Sequence, residues 1–109
     1  ILLPILVTRY VTGYNIPMIV SIEHKGLAAL HWKDQSKGVM QSQVKRLRHI
    51  LALLETTKTV EDMNLPGLRL HSLKGDMDGF YSVAVSGNWR VIFRFVDGNV
   101  QDVNLVDYH

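Results

Sequence analysis

Residues 68–106 constrain the fold most: four β-rich runs, at 68–73, 80–86, 89–96 and 99–106, are divided by Lys74-Gly75-Asp76, Gly87-Asn88 and Asp97-Gly98. Runs rich in β-branched and aromatic residues and bounded by turn residues read as strands. The Asp97-Gly98 pair signals a two-residue hairpin, because both central positions of that turn need positive φ. An antiparallel meander is expected.

Upstream, the hydrophobic period changes. Met40, Val44, Leu47, Leu51 and Leu54 recur every three or four residues, which predicts a helix over 39–55 with its apolar stripe on a sheet. Lys45, Arg48 and His49 fall off that stripe. Residues 19–22 read as a short strand and 26–32 as a brief helix. Thr59 is placed to cap a helical turn over 60–63, which Pro66-Gly67 ends. Helices early and strands late give an α+β domain, a small twisted, mainly antiparallel sheet with two to three helices packed on one face.

A chain of 109 residues with 47% hydrophobic and 20% charged residues suits one folded domain and not a disordered segment. The absence of cysteine excludes a disulfide framework and a thiolate metal site. The apolar patch at 1–7 is broken by Pro4 and falls far short of the roughly 18 residues a membrane span needs. With neither a basic leader nor a small-residue cleavage site, it does not read as a secretory signal. Residues 1–17 read either as an extension upstream of a natural start at Met18, the preferred reading, or as an extra segment that packs on the domain or a partner. The domain proper is 18–109. A pI near 9.1 and the run Lys45, Arg46, Arg48, His49 suit a polyanionic partner, although ordinary surface helices carry such runs too.

Three clusters in the strand region carry groups able to do chemistry: Arg69, His71, Lys74 and Asp76 in RLHSLKGD; Asn88, Trp89 and Arg90 in GNWR; and Asp107, Tyr108 and His109 in VDYH. An antiparallel meander can bring such distant residues to one face. Metal-free RNA cleavage needs a base for the ribose 2′-hydroxyl, an acid for the leaving 5′-oxygen and cations for the phosphate. Arg90 offers a planar fork, Lys74 a compact charge, and His71 and His109 titrate nearest neutrality. Tyr108 can donate a proton, and Asp76 or Asp107 can orient a histidine or an arginine. Taken singly these are turn, core or surface residues; their combination points to a site. Trp89 and Tyr81 are assigned to the core. The histidines show no metal spacing, and His24 and His31 have no carboxylate at a suggestive interval. No GxSxG, GxxxxGK[ST] or GxGxxG occurs, which removes support for hydrolase, nucleotidase and dehydrogenase readings.

The stretch 61–109, with HSLKGD, NWR and a closing DYH, resembles the C-terminal half of HigB toxins of the RelE superfamily, and HKGL (24–27) and KRLR (45–48) extend the likeness more weakly to Met18. The resemblance implies a bacterial, cytoplasmic, ribosome-dependent endoribonuclease that cuts messenger RNA in the decoding site without a metal or other cofactor. It implies a HigA-like helix-turn-helix antitoxin as partner, with operator DNA reached only through that complex. His71, Lys74, Arg90, Asp107, Tyr108 and His109 match the family's functional positions. Some relatives carry a further cation on the strand before Asn-Trp-Arg, where 82–87 has none; Arg69 or Arg94 could compensate. Lys45, Arg46, Arg48, Arg69 and Arg94 are the candidate contacts to RNA or the ribosome. The alternative is a non-catalytic basic module that binds RNA or antitoxin in a repressor complex. The discriminating feature is the proton-transfer set, for which a binder has no use.

Overall fold

The computed structural model describes residues 18–108. Helix α1, Lys25–Lys33, leads through a single 3-10 turn, Gln41–Gln43, into α2, Val44–Thr56. A second 3-10 turn, Val60–Met63, precedes the strands β1 (His71–Ser72), β2 (Phe80–Ser86), β3 (Trp89–Val96) and β4 (Asn99–Asp107). Neighbouring strands pair antiparallel in the order β1-β2-β3-β4, the expected meander. Beyond β4, residues 18–23 form a parallel edge through the bridges Ile19↔Val100 and Ile22↔Val103. The fold is α+β.

Turn chemistry sets the register. Asp97 and Gly98 hold φ of 52° and 81° between the paired Val96 and Asn99, so both central positions are left-handed, as a type I′ hairpin requires. At the β2–β3 turn only Gly87, at φ 53°, is positive among the central pair. In β4 the partners of Ile92 and Arg94 are Asn104 and Gln101, three residues against two, with Asp102 at φ 55° taking up the extra one. This bulge lets Val100 and Val103, at an odd spacing for a strand, both bury their side chains.

One face of the sheet, with Val83, Val91, Phe93, Val100 and Val103, packs on Leu47, Ile50 and Leu54 of α2 and Leu27 of α1. Tyr81 stacks on Phe93 at 5.9 Å, and Trp89 packs partly buried against the same core. Truncating the fully buried Phe93 would cost about 3–5 kcal/mol.

Several expectations need correction. Met40 lies outside α2 and is half exposed, whereas Ile50 completes the buried stripe. The stripe's phase is set by the helix that begins at Val44, not by a run starting at 39. The first β-run is regular strand only at His71–Ser72, because Arg69 turns left-handed at φ 52° and breaks the ladder between there and Leu68. His31 does have a carboxylate partner: its Nε2 stands 2.7 Å from Glu55 Oε2, while Glu55 Oε1 accepts from the Ile19 backbone N–H at 3.1 Å. The contact joins two helices and an edge strand, and so leaves no local spacing to detect. Thr59 does cap its turn, in a box closed by the Asp62 carboxylate.

Candidate functional site

The site is built on the sheet face opposite α1 and α2. His71 lies opposite Ser82, Ser82 opposite Ile92, and Arg90 opposite Ala84. Side chains alternate across a strand, so with Val83, Val91 and Phe93 directed into the core, Ser82, Arg90 and Ile92 share the other face. Past the end of β4 the Tyr108 backbone N–H donates to the Asn88 carbonyl at 2.8 Å, docking Tyr108 on the β2–β3 turn. A groove of about 290 Å³ results, lined by His71, Arg90 and Tyr108 together with Leu73, Ser82 and Asn88.

Hydrogen bonds aim the groups inside it. His71 Nδ1 lies 2.7 Å from the Arg69 carbonyl oxygen. A carbonyl can only accept, so Nδ1 carries the proton, and in the neutral ring Nε2 keeps the lone pair. Arg90 Nη1 donates to Ser82 Oγ at 3.2 Å and lies 3.5 Å from the same Arg69 carbonyl. Tyr108 is 46% exposed, so its hydroxyl can be reached from solvent. The groove thus holds a histidine with a basic nitrogen, a phenol and a guanidinium.

The other candidates are distributed differently. Lys74 directly follows Leu73, is exposed, and precedes the short turn Gly75–Met77 that contains the exposed Asp76; neither lines the groove. Asp107, exposed at the end of β4, is the register partner of Trp89. His109 lies outside the described residues, as does the expected extension 1–17. Arg94, the possible substitute for the absent strand cation, pairs with Asp102 at 3.2 Å and lies over the Phe80 ring at 5.9 Å, away from the groove. Arg46 donates to the carbonyls of Gly67 at 2.7 Å and Ala84 at 2.9 Å, fastening α2 to the sheet. Arg48 pairs with Asp34, and Lys45 stands exposed beside Ser42 and His49.

Sequence reasoning missed Ser82, which lines the groove, and the Arg69 carbonyl, which holds two of its members. Ser82 is 1% exposed and resembles any small strand residue; only the register puts it under Arg90. Among the described residues no group of three or more His, Asp or Glu side chains converges to hold a metal ion, and no helix is long and apolar enough to cross a membrane.

A four-stranded antiparallel sheet with helices on one face and this groove on the other defines a RelE-like fold. It is similar to the crystal structure of a YafQ mutant from E. coli, with a TM-score of 0.51 and 16% identity over 82% of this chain and 90% of that one. Residues 20–109 match the family described as RelE-like toxin of type II toxin-antitoxin system HigB, and the chain belongs to that family. It is 38% identical to Endoribonuclease HigB of Proteus vulgaris over 92 residues, 84% of this chain and 100% of the relative. It is 28% identical to Toxin HigB-1 of Vibrio cholerae over 83 residues, 74% of this chain and 87% of that protein. A toxin of this type has an antitoxin as its partner.

Proposed function

We propose that this chain is a ribosome-dependent endoribonuclease that cuts messenger RNA in the decoding site and thereby stops translation and growth. The observation that carries this reading is the convergence of His71, Arg90 and Tyr108, from three separate stretches of chain, in one groove. A binding module has use for the arginine but none for a histidine and a phenol beside it.

In the reaction the ribose 2′-oxygen bonds to the adjacent phosphorus as the bond from that phosphorus to the 5′-oxygen breaks. His71 Nε2 takes the 2′-hydroxyl proton, and the Tyr108 hydroxyl gives its proton to the departing 5′-oxygen. The products are a 2′,3′-cyclic phosphate and a free 5′-hydroxyl; solvent then resets both proton carriers. Arg90 and Lys74 hold the non-bridging oxygens as charge builds on them. Asp107 and His109, flanking Tyr108 in sequence, orient it and the message. No step requires a metal or cofactor.

A net charge of +2 gives a weak grip on free RNA, so the ribosome presents the message. Lys45, Arg69 and Arg94, with what Arg46 and Arg48 can spare, supply the contacts to RNA or ribosome. The antitoxin is a HigA-like helix-turn-helix protein, through which alone the toxin reaches operator DNA, and the pair works in the bacterial cytoplasm. Residues 18–109 are the toxin domain and 1–17 an extension.

The test is cleavage of message in a translating extract, mapped by primer extension. Wild-type protein cuts ribosome-bound message and leaves naked RNA intact. Message that is bound but never cut would instead establish the binding module.

A further inference from the structure

We propose that Arg69 is a positioning residue of this site and that it acts through its backbone: a left-handed bulge makes its carbonyl the shared acceptor that sets the tautomer of His71 and the aim of Arg90. The inference rests on the nuclease reading above and adds to it the device that readies the base.

The register contains the bulge. Ala84 N–H donates to the Leu68 carbonyl at 2.7 Å, and His71 pairs with Ser82. From Leu68 to His71 the chain advances three residues while β2 advances two. Arg69, at φ 52°, takes up the difference. That position in a bulge of this kind is ordinarily glycine, because a Cβ crowds the following carbonyl in the left-handed region. An arginine there needs compensation, and the carbonyl it displaces supplies some: it lies 2.7 Å from His71 Nδ1 and 3.5 Å from Arg90 Nη1. The second Arg90 contact, Ser82 Oγ at 3.2 Å, comes from a residue 1% exposed and therefore fixed.

The chemical consequence is specific. An acceptor at Nδ1 leaves Nε2 as the only basic ring nitrogen. A carboxylate would do the same but would set a negative charge beside a scissile phosphate; a carbonyl fixes the tautomer without one. If residue 69 relaxed to extended backbone, the carbonyl would turn away, and His71 and Arg90 would lose their common anchor together.

Variants at 69 separate backbone from side chain. Arg69→Gly and Arg69→Asn remove the guanidinium but tolerate positive φ, whereas Arg69→Val removes it and disfavours positive φ. Loss of any phosphate contact is thus common to all three, and the difference among them reads the backbone alone. The first measurement is the ring ¹⁵N shifts of His71 in the 109-residue protein. The Nδ1–H tautomer is expected in wild type, Gly and Asn, and a loss of its dominance in Val. The second is cleavage of ribosome-bound message, with kcat for Val at least about tenfold below that for Gly and KM shared. Should the Val variant not fold, Arg69→Ala replaces it. A Val variant that keeps the Nδ1–H tautomer and cuts as fast as Gly overturns the proposal, as does a Gly variant that loses the tautomer. If wild-type protein cuts no message, the nuclease reading fails, while the ¹⁵N comparison still decides whether the bulge sets the tautomer.

Discussion

Arg69 and Asp102 hold nearly the same positive φ, 52° and 55°, and each is the extra residue of a bulge, one ahead of β1 and the other within β4. Their surroundings differ. Aspartate is among the few residues that visit the left-handed region readily. Asp102 is also held on every side: its N–H donates to Ser21 Oγ at 2.8 Å and its carboxylate accepts from Arg94 at 3.2 Å. That bulge ties the parallel edge to β4 and lets Val100 and Val103 share the core. Arginine has no such preference, and at Arg69 it is the carbonyl that makes the contacts, to His71 and Arg90. Where residue type suits the conformation, the bulge serves the fold; where it does not, the strain sits beside the groups that would do chemistry.

The comparison breaks most decisively at the groove. His71→Ala should lower the cleavage rate by about 10²–10⁴, the usual worth of a proton-transfer residue. Arg90→Ala should lower it by about 10²–10³ through lost transition-state stabilisation. Both side chains lie off the main core, so melting temperatures should stay near that of wild type. Rates from single-turnover cleavage on stalled ribosomes and calorimetric melting give the two numbers; a large fall in melting temperature in either variant would mean that this bulge supports the fold after all.

Ser82→Ala comes next. It leaves Arg90 with the longer contact to the Arg69 carbonyl, so cleavage should slow by about tenfold, near the value of one hydrogen bond to a charged group. Only one hydroxyl oxygen is deleted from a small side chain, and stability should change little. An unchanged rate would mean that the Arg69 carbonyl alone is enough to aim Arg90.

Both bulges lay beyond what the sequence could reveal, and for the same reason. The strands at 80–86 and 89–96 were legible to the residue, because alternation and turn chemistry are local properties. The α2 stripe was legible except for Ile50 and at its start, where Met40 fits the spacing but precedes the helix. A bulge is a mismatch between two strands, so neither strand records it alone, and a glycine, the one residue that would betray it, stands at neither position. The same holds for Ser82 beneath Arg90, His31 beside Glu55, and Arg46, whose charge suggested RNA and whose donors are given to Gly67 and Ala84. Of the candidate residues, His71, Arg90 and Tyr108 meet in the groove because turns legible in the sequence fix their strands; Lys74 and Asp107 border it without lining it.

At Asp102 the expected effect moves from rate to stability. Asp102→Val should destabilise by about 1–2 kcal/mol, the cost of a left-handed residue with a branched Cβ. At about 4–8 °C per kcal/mol for a domain of this size, calorimetry resolves that easily. Asp102→Gly should retain most of the melting temperature, since glycine meets the backbone requirement and what it loses is a partly exposed ion pair, with relative exposures of 41% and 32%, and two long contacts from Ser21 Oγ and Gln101 Nε2. Cleavage measured well below the melting temperature should match wild type in both. A rate defect in Asp102→Val with unchanged melting would erase the contrast with Arg69.

The smallest effect belongs to a third device, which holds its loop by charge and not by backbone conformation. Asp62 closes the box that caps the turn Val60–Met63, its carboxylate accepting from the backbone N–H groups of Lys58 at 2.8 Å and Thr59 at 3.2 Å. Those two donors, Lys58 first, hold its pKa below the ordinary aspartate value. A carboxyl with a lowered folded pKa contributes stability that is fully present above its unfolded pKa and is lost as pH falls through the folded one. Asp62→Asn should therefore melt slightly below wild type at pH 7, by less than Asp102→Val does, and the difference should vanish once acid has protonated Asp62. Because each bulge is set by backbone geometry, the gap between the Gly and Val variants at 102 should persist over the pH range in which that of Asp62→Asn closes. Melting curves across that range distinguish the two, and a pH-independent deficit in Asp62→Asn would show that this turn too is held by shape.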